Sequence, residues 1–255
     1  MYKKIRKKIA TILSISTITI GICTFNINNT YAEYNSVISR YKNFKETIFV
    51  SENAHRKIAY ITIDDGPSKY TESIVDTLNK YGAKATFFMI DRNMKNYPEQ
   101  VKNIIKNGNT AGFHSVSHDI HQLYKYNNSA KEEFDKNKET FYNITHTESN
   151  IIRLPYGSKP YTPAESYELL VDSGYKLWDW DLDTEDWKSN STQIIESVKK
   201  YTENKKEVVI LIHEKNQTVE ALDGILKYLI EQGYEILPIQ QEQQPQNFWI
   251  GNLYK

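Results

Sequence analysis

Short runs of β-branched and apolar residues alternate with longer amphipathic stretches from residue 57 to residue 240. Seven of these runs have the length and composition of β-strands. They are residues 57–65, 84–90, 110–115, 150–155, 175–183, 207–213 and 234–239. The run in 207–213 is almost wholly apolar, which is typical of a parallel strand buried on both faces.

The stretches between these runs have the periodicity of helices. Residues 98–107 begin with Pro98, end before Gly108, and carry apolar residues on one face, namely Val101, Ile104 and Ile105. Residues 218–232 end before Gly233 and have a longer stripe, consisting of Leu222, Ile225, Leu226, Leu229 and Ile230. These stripes are expected to pack against a sheet.

Regular alternation of strands and helices predicts parallel strands covered by helices. Periodicity alone leaves two architectures open, an α/β barrel and a doubly wound open sheet. Both place functional residues at the carboxyl ends of their strands, so the polar residues there carry the functional information. No domain boundary is apparent within residues 57–240, and a single catalytic domain is expected.

The first 32 residues have the pattern of a secretory signal peptide. A basic start is followed by an uncharged apolar and hydroxyl-rich run over residues 9–25, and Thr30-Tyr31-Ala32 offers a small-residue cleavage site. The run is slightly long for a signal peptide and slightly short for a membrane span, so an uncleaved anchor is the alternative. Residues 33–56 are expected to form a polar N-terminal segment.

Cysteine and charge fit an exported protein. Cys23 is the only cysteine, and it lies in the leader, so the cleaved protein would have no disulfide. Ile22 before it does not suit a lipoprotein signal, so lipid attachment is not expected. The whole chain has 32 basic and 32 acidic residues. Cleavage would remove five basic and no acidic residues, and the mildly acidic product would disfavour nucleic acid as a partner. Residues 241–255 are expected to form a polar tail with an aromatic patch at Phe248 and Trp249.

Two carboxylates follow the first predicted strand, in the run Asp64-Asp65-Gly66-Pro67. Neighbouring side chains on a regular strand point to opposite faces, so the two can share a site only where the pleat breaks. Gly66-Pro67 is expected to supply that break. A solvated turn is the competing interpretation, since Asp-Gly is common in turns.

The third predicted strand ends in His114-Ser-Val-Ser-His118. Two histidines four residues apart meet on one face if the chain curls into a helical turn, which would suit a shared metal ion. Two histidines and one carboxylate would leave an open coordination position, as in catalytic zinc sites. His121 does not fit this spacing and is interpreted as an ordinary loop histidine.

Three later strand ends also carry polar residues. Arg153-Leu-Pro-Tyr-Gly157 combines a rigid turn with a cation that could pair with a buried carboxylate. His213 ends the sixth predicted strand and is expected at the same rim. The stretch 178–187 is dense in acidic and aromatic residues, and three of its acids are expected to form a solvated rim: Asp179, Asp181 and Glu185.

Taken together, five motifs in this order resemble those of the NodB-homology polysaccharide deacetylases, carbohydrate esterase family 4. They are Thr62-Ile-Asp-Asp65, His114-Ser-Val-Ser-His118, Arg153-Leu-Pro-Tyr156, Asp183-Thr-Glu-Asp-Trp187 and Leu211-Ile-His213. The likeness covers about residues 57–240 and implies a distorted (β/α)7 barrel. Three positions depart from the usual family pattern, namely Ile63, Leu154 and Glu214.

The resemblance implies a metal site and an acid–base pair. Asp65, His114 and His118 would be the metal ligands, with Zn2+ expected and Co2+ or Ni2+ also compatible with these donors. Asp64 would be the general base and His213 the general acid.

The resemblance also implies supporting roles for five further residues. Arg153 would orient Asp64, Asp186 would tune His213, and the backbone N–H of Tyr156 would bind the oxyanion. Trp187 and Leu211 would shape the pocket for the acetyl methyl group.

The implied reaction is removal of N-acetyl groups from amino sugars of a cell-wall or extracellular polysaccharide such as peptidoglycan or a chitin-like glycan. An O-acetyl xylan esterase, another amide hydrolase and a non-catalytic glycan-binding wall protein are the alternatives. A secreted or wall-associated monomer is expected, meeting a membrane only if its N-terminal segment stays uncleaved. Tyr161, Trp178 and Trp180 are candidates for sugar stacking, with core packing expected for at least one of the tryptophans.

Overall fold

The structure is a computed structural model that describes residues 38–39 and 56–254. The predicted signal peptide and nearly all of the polar segment 33–56 lie outside the described residues, so both stay predictions. Within the described ranges, no helix has the length and apolar character needed to cross a membrane.

The domain is built on a parallel sheet whose strands occupy the predicted runs. Their bounds are β1 Lys57–Gly66, β2 Thr86–Met89, β3 Thr110–Phe113, β4 Ile151–Ile152, β5 Lys176–Leu177, β6 Leu182–Asp183, β7 Glu207–His213 and β8 Tyr234–Ile236. The strand order is β5-β4-β3-β2-β1-β7-β6, and β8 pairs with the start of β1. Every pairing is parallel, as the strand–helix alternation predicts.

Helices connect the strands. Their bounds are α1 Thr71–Lys80, α2 Asp91–Asn96, α3 Pro98–Lys106, α4 Ile120–Leu123, α5 Ser129–Thr145, α6 Ala164–Asp172, α7 Ser191–Thr202 and α8 Asn216–Glu231. The two helices predicted from their apolar stripes are α3 and α8, and most of each stripe is buried. Ile230 is an error in the predicted α8 stripe, because its side chain is exposed.

The predicted strand 175–183 is two short strands at opposite ends of the strand order. β5 pairs with β4, and β6 pairs with β7 only a few residues later in the chain. One continuous stretch therefore contacts both ends of the sheet, so the sheet curls into a half-barrel rather than staying open. The prediction of a distorted (β/α)7 barrel is confirmed.

Buried side chains fall into two clusters, as expected for strands with apolar residues on both faces. The larger cluster lies between strands and helices and includes Ile61, Ile63 and Phe87. The smaller one fills the barrel interior with residues of the strands and of the segments that follow them, namely Tyr60, Phe88, Ile151, Trp178, Val209 and Ile239. The interior is therefore packed with side chains below the carboxyl ends of the strands.

Gly112 leaves space for the Phe88 ring in this interior. A Cβ at Gly112 would lie 2.6 Å from a Phe88 ring carbon and 3.3 Å from Ile151. We expect Gly112→Ala to lower the free energy of unfolding by about 1–3 kcal/mol, the usual cost of overpacking a core. Urea denaturation measures this change.

Gly224→Ala provides the comparison for Gly112→Ala. A Cβ at Gly224 would meet the terminal methyl of Ile195, a half-buried side chain that can rotate away, and alanine favours the helix by about 1 kcal/mol. Equal destabilisation by the two substitutions would show that the Phe88 contact is not the cause.

The expected polar tail packs against the domain. The Asn247 side chain is buried and donates to the Leu177 carbonyl at 3.0 Å, and the Phe248 N–H donates to Asp179 Oδ2 at 2.7 Å. Trp249 stacks on Tyr167 with ring centroids 4.7 Å apart. The described part of residues 241–255 is thus tied to the fold by buried polar groups as well as by its aromatic patch.

Candidate active site

Asp64 and Asp65 lie at a β-bulge in β1. Asp64 pairs with Phe88 of β2 and Gly66 pairs with Met89, so Asp65 is an extra residue between two paired positions. Asp65 has φ of 70°, a left-handed conformation that is uncommon outside glycine. The pleat therefore breaks at Asp65 itself, one residue before the predicted break, and both carboxylates reach the site.

The two histidines of the third motif come together without a helical turn, contrary to the expectation from their spacing. Residues 114–118 form a bend in which Ser115 has φ of 68° and His118 has φ of 52°. The His118 N–H donates to Ser115 Oγ at 3.0 Å and closes this bend. The two imidazole rings lie with their centroids 5.0 Å apart.

Asp65, His114 and His118 fit a divalent metal ion. Asp65 Oδ1 lies 3.4 Å from His118 Nε2 and 3.7 Å from His114 Nε2. Ligand atoms about 2.1 Å from a tetrahedral ion lie about 3.4 Å apart, close to both distances. Asp65 Oδ1 is buried and lacks a hydrogen-bond partner among the described residues, as expected of an atom that binds a cation.

The state of His114 also suits a metal ligand. Burial lowers the pKa of His114 more than the nearby Asp64 and Asp65 carboxylates raise it, so the neutral imidazole is favoured. Nδ1 lies 2.8 Å from the Arg153 carbonyl oxygen. A proton on Nδ1 would donate there and leave the Nε2 lone pair facing Asp65.

Arg153 holds Asp64 from inside the barrel. Nη1 donates to Asp64 Oδ1 at 2.9 Å and to Thr62 Oγ1 at 2.8 Å, and both charged side chains are buried. The guanidinium carbon lies 4.1 Å from the centre of the Phe88 ring. The buried carboxylate is thereby paired with a cation, as burial of a charge requires.

His213 and Asp186 form a second charged pair. Asp186 Oδ1 lies 2.7 Å from His213 Nδ1, while Oδ2 accepts from the His213 N–H at 2.6 Å and from Thr218 Oγ1 at 2.6 Å. Burial alone would lower the pKa of His213, but the Asp186 hydrogen bond and neighbouring carboxylates outweigh it and raise that pKa. β7 pairs with β1 so that His213 lies beside Asp64.

The fourth motif forms a tight turn at the site. The Gly157 N–H donates to the Leu154 carbonyl at 3.0 Å, Pro155 is the second residue and Tyr156 has φ of 65°. Proline followed by a residue with positive φ is typical of a type II turn. The Tyr156 ring is exposed and lies with its centroid 5.1 Å from that of His118, so the turn borders the candidate metal ligands.

The remaining aromatic and pocket candidates divide between surface and core. Trp187 and Tyr161 are exposed, and the Tyr161 ring centroid lies 6.2 Å from that of Tyr156. Trp178 is buried in the barrel interior, as expected for one of the tryptophans. Trp180 is half-buried against Phe248, and Leu211 is buried on β7 two residues before His213.

Asp179 corrects the expectation of a solvated acidic rim. It is buried, and its carboxylate accepts from the Ser158 N–H at 3.0 Å, from Ser158 Oγ at 2.5 Å and from the Phe248 N–H. Asp181 is half-buried and accepts from the Val209 N–H, while Glu185 is exposed. His121 was expected in a loop, but it lies in α4, where it is exposed.

Several contacts at the site had no signal in the sequence. Thr62 and Thr218 bind Arg153 and Asp186 through hydroxyl groups, although threonine is common in strands and helices generally. The Asn93 side chain donates to the Asp65 carbonyl at 2.8 Å. Glu214 accepts from Ser68 Oγ at 2.5 Å and thereby joins the end of β7 to the segment after β1.

Comparison of the sequence with known proteins finds a matching family model and relatives that are peptidoglycan deacetylases. A family model described as polysaccharide deacetylase matches residues 51–178. A peptidoglycan-N-acetylglucosamine deacetylase of Bacillus cereus is 38% identical over 77% of this chain and 75% of its own length. The peptidoglycan-N-acetylmuramic acid deacetylase PdaC of Bacillus subtilis is 31% identical over 73% of this chain and 39% of its own.

Solved structures show a matching fold. The crystal structure of the polysaccharide deacetylase Bc1974 from Bacillus cereus has a TM-score of 0.74 and 38% identity, covering 77% of this chain and 99% of that one. A CE4 family pseudoenzyme from Bacillus anthracis has a TM-score of 0.65 at 24% identity, covering 72% of this chain and 64% of that one. The second likeness concerns the fold alone. The resemblance seen in the five motifs is confirmed, and the chain belongs to the polysaccharide deacetylase family, carbohydrate esterase family 4.

Proposed function

We propose that this protein is a metal-dependent hydrolase that removes N-acetyl groups from amino sugars of peptidoglycan and releases acetate. The observation that carries the proposal is the arrangement around Asp64. Arg153 fixes this carboxylate beside the cluster of Asp65, His114 and His118. His213 lies on the neighbouring strand, so a base and an acid flank one candidate metal site.

Asp64 is suited to the role of general base. Oδ1 is held by Arg153, and Oδ2 lies 3.6 Å from His114 Nε2, on the side of the candidate metal site. This orientation leaves one carboxylate oxygen to take a proton from the attacking water. Asp65, His114 and His118 would hold a divalent ion, which when bound would lower the pKa of water and polarise the acetyl carbonyl.

His213 is suited to the role of general acid. An amine leaves an amide poorly unless it is protonated, so the departing sugar nitrogen needs a proton donor. The raised pKa of His213 keeps its imidazole protonated to higher pH, and Asp186 Oδ1 orients the ring through Nδ1. Nε2 is then the nitrogen that delivers the proton.

Substrate binding is assigned to the exposed rings around the site. Tyr156, Tyr161 and Trp187 expose aromatic surface next to or near the charged cluster, and sugar rings pack well on such faces. The backbone N–H of Tyr156 would bind the oxyanion, and Trp187 with Leu211 would enclose the acetyl methyl group. The relatives named for peptidoglycan support this glycan as the substrate.

Export is part of the proposal. The leader pattern in residues 1–32 and the proposed wall substrate support a protein that acts outside the cytoplasm, secreted or bound to the cell wall. N-terminal sequencing of the protein recovered from wall and medium would test this. A mature N-terminus at residue 33 supports cleavage, and an intact leader in the membrane fraction supports an anchor.

The substrate and the metal are tested together by acetate release. Purified protein is incubated with peptidoglycan, chitin oligomers and acetylated xylan, before and after a chelator, and then with Zn2+, Co2+ or Ni2+ added back. We expect release from peptidoglycan that the chelator abolishes and Zn2+ restores. Mass spectrometry of the digested product identifies which amino sugar loses its acetyl group.

The rival functions give other outcomes in the same assay. Release from xylan alone would identify an esterase, and binding to a glycan without release from any substrate would identify a wall-binding protein. Acetate release that persists at full rate in the metal-free protein would refute metal dependence.

The Asp186 carboxylate is predicted to set the alkaline limit of activity. The active form of His213 is protonated, so kcat/KM falls as pH rises through the pKa of His213. Asp186→Asn removes the hydrogen bond and the negative charge that raise this pKa, while burial still lowers it. We therefore expect the alkaline limb of the kcat/KM profile to move to lower pH. Asp183→Asn, a change at a half-exposed aspartate of the same motif, serves as control, and an unmoved limb in Asp186→Asn would refute this role.

A further inference from the structure

Helix α5 holds the loop that carries both candidate histidine ligands. Glu133 Oε2 accepts from the Val116 N–H and the Ser117 N–H, each at 2.9 Å. Asn137 Nδ2 donates to the Ser115 carbonyl at 3.0 Å. Three backbone groups between His114 and His118 thus bind two side chains that stand four residues apart on one helical face.

These contacts matter because the loop has an uncommon conformation. Ser115 and His118 both have positive φ, which residues other than glycine adopt rarely. Such conformations persist only where surrounding contacts determine them. One carboxylate oxygen that binds two successive N–H groups restricts the bend strongly, and the buried Asn137 holds it at the Ser115 carbonyl.

The bend sets the distance between the ligand atoms. His118 Nε2 lies 3.4 Å from Asp65 Oδ1 only while the loop keeps this conformation. His114 has a separate support, because its Nδ1 lies 2.8 Å from the Arg153 carbonyl. His118 depends on the bend instead, through its N–H bond to Ser115 Oγ and the contacts from α5.

We propose that Glu133 and Asn137 are positioning residues that set the affinity of the site for its metal ion by holding His118 in place. This inference rests on the proposed metal-dependent function. Neither side chain belongs to the five motifs, and Glu133 lines an open surface cleft with Val116 and Lys136. Truncating Glu133 therefore leaves no enclosed cavity, and the protein is expected to fold.

The test is Zn2+ affinity of the metal-free protein, measured by competition with a chromogenic chelator. Removing a side chain that orients a metal ligand typically weakens metal binding about 10–100-fold, and we expect Glu133→Ala to raise the Kd by about tenfold or more. Glu133→Gln should have a smaller effect, because its amide oxygen still accepts but carries no charge. Glu139→Ala, at an exposed position of the same helix, should leave the Kd unchanged.

Two further measurements separate positioning from general stability. The visible absorption of the Co2+-loaded variant should change, since it reports ligand geometry, and the thermal midpoint of the metal-free protein should change little. Wild-type Kd in both Glu133 variants would overturn the inference while leaving the proposed function intact. Failure of the wild-type protein to bind Zn2+ would overturn both. If Glu133→Ala does not fold, Glu133→Gln decides.

Discussion

Replacing Asp64 by asparagine should lower kcat for acetate release by about two to four orders of magnitude, the usual contribution of a general base. Asparagine keeps the shape of aspartate and can still accept from Arg153 through its amide oxygen. It cannot take a proton from water at neutral pH. Metal affinity should stay close to that of the wild-type protein, because the candidate ligands are Asp65, His114 and His118.

The measurement pairs acetate release with Zn2+ binding in the same variant. Asp76→Asn, at an exposed position of α1, makes the same chemical change away from the site and should retain full turnover. Near-normal kcat in Asp64→Asn would refute the assignment of the base. Loss of Zn2+ binding would identify Asp64 as a ligand instead, since its Oδ2 lies 3.6 Å from His114 Nε2.

Replacing Arg153 by methionine should lower the free energy of unfolding by about 3–5 kcal/mol, the cost of leaving one partner of a buried ion pair alone. Methionine fills part of the space but has no donors. Asp64 would lose its cation, and the carbonyls of Trp178 and Asp179 would lose the donors Nε and Nη2. Urea unfolding at constant pH measures the change.

A double-mutant cycle isolates the charge pair from the other bonds of Arg153. In protein that already contains Asp64→Asn, loss of Arg153 leaves no carboxylate at position 64 without its cation. Arg153→Met should therefore lower the free energy of unfolding by less in that protein than in the wild type, the difference being about 0.5–3 kcal/mol. Arg92→Met, at an exposed position of α2, should cost less than about 0.5 kcal/mol. Additive costs in the cycle would show that Arg153 stabilises the barrel through its other contacts and not through Asp64.

The strands were predictable because burial on both faces leaves nearly continuous apolar runs. β7 is found at its predicted bounds, and β1 differs by one residue. Residues 175–183 were misjudged because composition shows that a run is strand-like but not which neighbours it pairs with. Only the strand pairing in the structure shows that β5 and β6 belong to opposite ends of the sheet.

The candidate site was predictable in its residues and not in its backbone. Carboxylates, imidazoles and a guanidinium at strand ends are visible in the sequence, and the order of the motifs narrows their chemistry. The positive φ angles of Asp65, His118 and Tyr156 are not visible, because none of them is a glycine. Tertiary contacts hold these conformations, and such contacts join residues far apart in the chain.

Asp179 shows why polar contacts of this kind escape prediction. An aspartate among tryptophans and other acids is typical of a solvated rim, and burial became favourable only because Ser158 and Phe248 supply three donors. Glu133 is similar. Nothing in its helical stretch relates it to residues 116–117, which precede it by 17 and 16 positions, with α4 and the following loop in between.

The bond from Phe248 to Asp179 also makes one side of the site depend on the C-terminal segment. It spans 69 residues, whereas Asp179 and Ser158 are 21 apart, and long separations cost more chain entropy before any contact is gained. Ser158 follows directly on the turn that carries Tyr156, and Phe248 packs on Gly157 of the same turn. The turn beside the candidate metal ligands is therefore completed only when residues distant in the chain have come together, as the pairing of β1 with β7 also requires.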